Sequence, residues 1–222
     1  NFMPRNNEET PEQQEKVPQK NCLRIIPLGG LGEVGRNMTV IEWRDYEKDD
    51  RDILLIDAGV RFPEEDMPGI DLLIPNIKYL EDKVDKISGL VFTHGHFDHI
   101  GALPYMLEKL ENPMIYAAPL TKGLILKRHE EFKQLPKLMI DEIRSGDKRK
   151  IGVFEVEFIH INHSIPDDMA LLIKTPVGNI MCTSDFKFDH NPVIDKPAEI
   201  NRLKQIGDDG LLLVMSDSTG AE

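Results

Sequence analysis

The sequence predicts an α/β protein in which two β-sheets pack face to face and helices cover the outer faces. Short apolar runs of strand length, rich in β-branched residues, recur along most of the chain. Stretches with the apolar spacing of helices separate groups of these runs, as in layered sandwiches. With 222 residues, of which 40% are hydrophobic and 30% charged, the chain can bury the core of one large domain or two small ones.

The individual elements follow from these patterns in chain order. Residues 1–21 are polar and rich in Glu, Gln and Pro, so we expect a flexible tail ahead of one domain over 22–222. Strands are predicted at 23–28, 38–43, 53–56, 90–93, 114–117, 153–161, 169–175, 179–183 and 211–216. Helices are predicted at 100–110, 120–131 and 197–206, the first from apolar residues at i, i+3, i+4 and i+7.

Charge and cysteine content limit the function classes. The net charge of −12 argues against coating nucleic acid by bulk electrostatics, although carboxylates that bind metal contribute to this charge. Two basic clusters are more typical of a solvated face than of an RNA-binding patch: Lys122 with Lys127 and Arg128, and Arg144 with Lys148, Arg149 and Lys150. Cys22 and Cys182 lie outside any CxxC pattern and are predicted to be free, core-facing thiols.

No apolar run has the length of a membrane span, and the N-terminal residues lack the apolar stretch of a signal peptide. The sequence therefore favours a cytoplasmic protein without a membrane partner.

The strongest chemical signal is the segment THGHFDH at residues 93–99, directly after an apolar run. Imidazole nitrogens and carboxylate oxygens are the ligands that zinc prefers outside thiolate sites. A loop after a strand lets alternate side chains project to different sides. His94 and His96 can therefore serve one metal, while Asp98 and His99 serve a second one nearby. A chance cluster is disfavoured because the chain has only seven histidines.

Three further candidates each come directly after a predicted strand: Asp57, His163 and Asp185. Side chains at strand ends can point into one cleft at one rim of a sandwich. Taken alone, His163 would be a structural histidine as often as a ligand. The remaining candidates are weaker, with His160 predicted as a strand residue, His129 on an exposed helix face and His190 in a solvated loop.

A competing motif lies at residues 30–35, which read GLGEVG and fit the G-x-G-x-x-G pattern of dinucleotide sites. That function requires a helix to begin at the last glycine. Here residues 38–43 are predicted as a strand instead. We therefore expect a tight loop between two strands at the rim of the cleft.

The H-x-H-x-D-H segment is the signature of the metallo-β-lactamase superfamily, which the chain resembles. This resemblance implies a four-layer αββα sandwich and a hydrolase with two zinc ions, with manganese or magnesium as alternatives. The implied ligands of the first zinc are His94, His96 and His163. Those of the second are Asp98 and His99, with Asp185 bridging both metals. Asp57 would orient ligand groups without binding metal itself.

Longer segments are similar to ribonuclease J of the β-CASP group, at residues 28–38, 57–63, 69–71, 99–105, 163–167, 185–189 and 216–219. One departure is Phe97, where that family often has an acidic residue. The resemblance implies RNA as the substrate in maturation and decay, with endonuclease and 5′-to-3′ exonuclease action. A metal-held hydroxide, positioned through Asp98 and Asp185, would attack the phosphorus and leave a 5′-phosphate and a 3′-hydroxyl.

The same resemblance predicts that this sequence ends before a β-CASP insertion and before a C-terminal return that supplies another histidine ligand. On that expectation the second metal site binds weakly, the chain alone has little ribonuclease activity, and any homo-oligomer forms through missing regions. Two alternatives stay open. One is a thioesterase or small-ester hydrolase of the same superfamily, and the other is a metal-binding module without turnover.

Overall fold

The computed structural model describes residues 20–219, which form two β-sheets between two helical layers. Residues 1–19, which make up most of the predicted tail, lie outside the described part. Within the described part, the side-chain oxygen of Asn21, at the end of the predicted tail, accepts a hydrogen bond from the backbone N–H of Tyr46 at 2.7 Å. No helix among residues 20–219 combines the length and the apolar character needed to cross a bilayer.

The first sheet contains six strands in sequential order. They are β1 (Cys22–Gly29), β2 (Met38–Asp45), β3 (Asp50–Ile56), β4 (Ile87–Val91), β5 (Ile115–Ala117) and β6 (Ile140–Glu142). The first three pair antiparallel, and β3 to β6 pair parallel. Because parallel strands end at the same edge of a sheet, the segments after β3 and β4 emerge side by side.

The second sheet contains five strands in the order β11-β10-β9-β8-β7. They are β7 (Lys148–Ile151), β8 (Phe154–His160), β9 (Met169–Thr175), β10 (Gly178–Cys182) and β11 (Leu213–Met215). All neighbours pair antiparallel except β10 and β11, which are parallel.

The helices are α1 (Phe97–Ile100), α2 (Leu103–Met106), α3 (Pro119–His129) and α4 (Ile200–Asp209), with 3-10 turns at Ile77–Leu80 and Val84–Lys86. The single helix predicted at 100–110 is wrong, since two short helices occupy this region. Pro104 lies in the first turn of α2. A proline there has no N–H with which to continue the hydrogen bonding of a preceding helix.

Three apolar clusters separate the four layers. Between the sheets, Ile41 and Leu54 of the first sheet pack against Phe154 and Phe158 of the second. On the outer face of the first sheet, Val40 and Leu55 pack in one cluster with Leu103 and Met106 of α2 and with Ile125 of α3. Outside the second sheet, Ile159 and Leu172 pack with Ile206 of α4. The predicted four-layer αββα sandwich is confirmed.

Strands β6 and β7 were not predicted, because they are short and carry charges. The basic clusters near them are paired with carboxylates. The pairs are Lys122 and Arg144 with Glu142, Lys127 with Glu130, Arg128 with Glu131, Lys148 with Glu157, and Arg149 with Asp141. Lys150 instead donates to the carbonyl of Val153. These charges form the surface ion pairs of a solvated face.

Candidate metal centre

The edge where β3 and β4 end positions the first group of polar side chains. The backbone N–H of Asp57 donates to the carbonyl of Val91 at 2.9 Å, which keeps the two chain segments in register beyond the strands. Gly59 then passes so close to the 93–99 segment that a Cβ there would lie 1.4 Å from the carbonyl oxygen of Asp98. Only glycine fits this close approach, which holds the two loops together.

Three histidines converge on one point. Nδ1 of His96 lies 3.0 Å from Nε2 of His94 and 3.1 Å from Nε2 of His163. Nitrogens bound to one tetrahedral zinc at their usual lengths lie roughly 3.3 Å apart. The three ring nitrogens therefore have the spacing of a shared metal site, and the three residues form one of two groups among residues 20–219 that are able to hold an ion.

The second group shares a residue with the first and contains His94, His99 and Asp185. Oδ1 of Asp185 lies 3.5 Å from Nε2 of His99, and Oδ2 of the same carboxylate lies 3.7 Å from Nε2 of His163. One oxygen of Asp185 thus faces His99 of the second group, and the other faces His163 of the first. A carboxylate in this position can bridge two cations.

Asp98 lies beside the second group rather than within it. Its Oδ2 is 3.7 Å from Nε2 of His99 and accepts a hydrogen bond from Nδ2 of Asn37 at 3.3 Å. Nδ2 of Asn37 also contacts Nε2 of His99 at 3.0 Å. Asn37 is not among the site residues predicted from the sequence, because its position after a glycine-rich loop gives no chemical signal for this contact.

Asp57 contacts Nδ1 of His99, the ring nitrogen on the side away from Asp98 and Asp185. Oδ2 of Asp57 lies 2.9 Å from Nδ1 of His99, while its Oδ1 accepts the backbone N–H of Thr93 at 2.8 Å. A carboxylate at Nδ1 favours a proton there. With a metal bound, Nε2 of His99 would therefore be the nitrogen that carries the lone pair, on the side of Asp185 and Asp98.

The electrostatics of the cluster suit a bound cation. Burial lowers the pKa of His99, but the charges and hydrogen bonds of Asp57 and Asp185 outweigh burial and raise this pKa to about 10. Without a metal, a proton on His99 therefore compensates the neighbouring carboxylates. Burial and the neighbouring His99 lower the pKa of His94, which keeps its imidazole neutral as metal ligation requires.

The donor set fits divalent metal ions. It combines imidazole nitrogens with carboxylate oxygens and contains no thiolate, because Cys182 and Cys22 are not part of either group. This combination suits zinc, and its carboxylates also suit manganese.

A cavity of about 690 Å³ opens beside these side chains. It is lined by the glycine-rich loop at 29–35, by Asp98, His99 and Asp185, and by residues 215–219 at the end of β11. The loop leads directly into β2, so no helix begins at Gly35, and the dinucleotide interpretation is excluded for this segment. As expected, the loop lies at the rim of the cleft. The carboxylate of Glu33, which lies in this loop, accepts hydrogen bonds from the guanidinium groups of Arg36 and Arg61.

The other histidines lie outside both groups. His160 is buried on β8 and contacts the carbonyl of Lys196 at 2.8 Å, in line with its predicted place on a strand. His190 is exposed in a loop, as predicted. The prediction of an exposed His129 is wrong, because its ring is half-buried against the carbonyl of Pro136 at 2.9 Å, at the end of α3.

Comparison with known proteins identifies relatives of the chain. Residues 31–217 match the model of the Metallo-beta-lactamase superfamily. Ribonuclease J of Thermus thermophilus is 41% identical over 218 residues, which are 96% of this chain and 37% of that protein. Ribonuclease J of Helicobacter pylori is 42% identical over 214 residues, 95% of this chain and 30% of that protein. The chain thus spans about a third of the length of these curated relatives.

Among solved structures, a protein of unknown function from Enterococcus faecalis V583 superposes with a TM-score of 0.53 at 20% identity. The superposition covers 75% of this chain and 44% of that one. At this identity the likeness concerns the fold alone.

Proposed function

Because this chain belongs to the metallo-β-lactamase superfamily, we propose that it forms the metal-binding part of a ribonuclease. The proposed reaction is hydrolysis of RNA phosphodiester bonds with two zinc ions, in the endonucleolytic and 5′-to-3′ exonucleolytic modes of RNA maturation and decay. The cytoplasm is the proposed compartment, because RNA is the proposed substrate. Support comes from relatives named ribonuclease J that match nearly the whole chain.

The single observation that supports a two-metal reaction is the position of Asp185. Its two carboxylate oxygens face the His163 side and the His99 side of the cluster at 3.7 and 3.5 Å. We propose His94, His96 and His163 as ligands of the first metal. Asp98 and His99 are the proposed ligands of the second, and Asp185 is the proposed bridge.

Bound divalent metals would lower the pKa of a water molecule and neutralise charge on a phosphate. The side chains of this chain would prepare the site for that chemistry. Asp57 keeps Nδ1 of His99 protonated, so that Nε2 is free to bind. Asn37 fixes the carboxylate of Asp98 by its hydrogen bond. The cavity beside Asp185 is open along the glycine-rich loop and residues 215–219, where a polynucleotide can approach.

A substrate panel tests the proposal. The zinc-loaded protein would be incubated with a 5′-monophosphorylated single-stranded RNA, a thioester and a small carboxylic ester. Asp185→Asn is the matched variant, since it keeps the side-chain shape and removes the bridging charge. We expect slow RNA cleavage with 5′-phosphate and 3′-hydroxyl ends, in keeping with the weak second metal site expected for this chain, and loss of that cleavage in Asp185→Asn.

Hydrolysis of the thioester or the ester without RNA cleavage would favour the alternative hydrolase of the same superfamily. Tight metal binding without turnover of any of the three substrates would favour a metal-binding module. Either result would contradict the ribonuclease proposal.

A further inference from the structure

A buried carboxyl group outside both ligand groups has no evident partner. Asp168 precedes β9, is fully buried, and neither of its side-chain oxygens has a hydrogen-bond partner among residues 20–219. Its backbone is fixed, because its carbonyl accepts from Ile161 at 3.1 Å and the next residue, Met169, donates to the carbonyl of Thr93 at 3.0 Å. The carboxyl group is thereby held beneath the 93–99 loop.

Such a group is costly to the metal-free protein. Burying a polar group without a hydrogen bond is unfavourable, and burying an unpaired charge is more so. Its neighbour His94 gives a reason for a carboxyl group at this position.

Oδ2 of Asp168 lies 3.6 Å from Nδ1 of His94, the ring nitrogen that faces away from the three-histidine group. Two hydroxyl oxygens share this nitrogen, Oγ1 of Thr93 at 3.1 Å and Oγ of Ser184 at 3.2 Å. The Thr93 hydroxyl donates its hydrogen to Asp57 at 2.9 Å. It therefore presents a lone pair to His94, and the oxygen surroundings favour a proton on Nδ1.

With the proton on Nδ1, Nε2 of His94 carries its lone pair toward His96 and the first metal site. The proposed ligands of that site include three neutral imidazoles, which leave most of the charge of a divalent ion uncompensated. A carboxylate behind one of the imidazoles supplies negative charge without occupying a coordination position. Metal-binding histidines commonly donate their second N–H to such a carboxylate.

We propose that Asp168 is a positioning residue of the first metal site: from 3.6 Å, beyond hydrogen-bond distance, its carboxyl group favours the proton on Nδ1 of His94 and balances the charge of the bound ion. The inference rests on the metal centre proposed above. It assigns a role to a carboxyl group that touches neither the metals nor the substrate.

The test compares Asp168→Asn with the wild-type chain. Zinc affinity would be measured by competition with a chromogenic chelator, and the Tm of the metal-free protein by circular dichroism. We expect first-site affinity to fall 10- to 100-fold, as for other residues behind metal ligands. The Tm of the metal-free protein should be equal or higher, because the variant removes a buried ionisable group without a partner. A purely structural residue would lower both quantities together.

Asp167→Asn is the matched control. Asp167 is adjacent in sequence, but its carboxylate accepts the backbone N–H of Leu120 at the start of α3 at 2.9 Å. Its substitution should leave zinc affinity within twofold of wild type. If Asp168→Asn fails to fold, Asp168→Ser provides the same comparison. Cobalt-substituted samples add a second readout, since the visible spectrum of the first site should change in the Asp168 variants and not in Asp167→Asn.

Three outcomes would overturn the inference. Wild-type zinc affinity and cobalt spectrum in Asp168→Asn would exclude a role at the metal, while leaving the proposed ribonuclease function intact. A joint loss of Tm and affinity would assign Asp168 a structural role. Absence of zinc binding by the wild-type chain would remove both this inference and the proposed function.

Discussion

Replacing Asp57 should separate its structural role from its role at the metal. In Asp57→Ala, three buried donors lose their acceptor. They are the backbone N–H of Thr93, the hydroxyl of Thr93 and Nδ1–H of His99, now bonded at 2.8, 2.9 and 2.9 Å. A buried donor left without a partner costs about 1–3 kcal/mol, so the free energy of unfolding should fall by about 3–9 kcal/mol. Asp57 also has a φ of 60°, a conformation that alanine tolerates less well than aspartate or asparagine.

Asp57→Asn should behave differently. Its amide oxygen can still accept the N–H of Thr93, and asparagine tolerates the positive φ, so the loss of stability should stay below about 2 kcal/mol. Its amide nitrogen would, however, face Nδ1 of His99. A donor there favours a proton on Nε2, which blocks metal binding at that nitrogen. We therefore expect second-site metal affinity to fall about 10- to 100-fold in this variant.

The two variants would be compared by urea unfolding of the metal-free protein and by metal competition titration. Agreement requires Asp57→Asn to be nearly as stable as wild type while binding the second metal weakly. The reasoning would be refuted if Asp57→Asn kept wild-type affinity for both metals. It would also be refuted if this variant unfolded as readily as Asp57→Ala.

Three further predictions concern the metal ligands, one ion pair and the core. His96→Ala or His163→Ala should abolish first-site metal binding measured by titration. Deletion of residues 1–20 should change Tm little. Unfolding by this deletion together with full zinc binding in His96→Ala would contradict this division of roles. Glu157 is buried beneath Arg202, and the hydrogen bonds from Arg202 lower the pKa of the Glu157 carboxyl group. The ion pair of Glu157 with Arg202 therefore stabilises the fold above the unfolded pKa of about 4.3, and this stabilisation is lost as pH falls through the lower folded pKa. In urea unfolding, Glu157→Gln should cost about 1–2 kcal/mol at pH 7 and nothing near pH 2. Phe158→Ala, in the core between the sheets, should lower the free energy of unfolding by about 3–5 kcal/mol. Phe62→Ala, at an exposed position, should lower it by less than about 0.5 kcal/mol. Equal losses would show that the core is misassigned.

The sequence was informative wherever chemistry and periodicity coincide. The 93–99 segment follows a buried strand, and the structure brings its histidines together with His163 and Asp185 as the strand-end argument predicted. Strand β8 shows why alternation works, since Phe154, Val156 and Phe158 all face the space between the sheets. These features depend on local pattern, which a single sequence contains.

The features that could not be predicted from the sequence depend on contacts between distant segments. Asn37 and Asp168 reach the site only because a loop after β1 and a turn before β9 meet the same strand edge, and neither residue belongs to a spacing typical of metal ligands. Strands β6 and β7 consist largely of charged residues that look solvated until Arg149 of one is paired with Asp141 of the other at 2.7 Å. The position of Asp98 beside the second group follows from its hydrogen bond to Asn37, which the motif does not reveal.

Anomalous diffraction at the zinc edge, from crystals of the zinc-saturated protein, tests the metal centre most directly. We expect two peaks roughly 3.5–4 Å apart, the usual separation in two-metal hydrolytic sites. One should lie among His94, His96 and His163, and the other beside His99 and Asp98, with Asp185 contacting both. No peak at this cluster, or zinc bound elsewhere while these side chains contact only one another, would contradict the account.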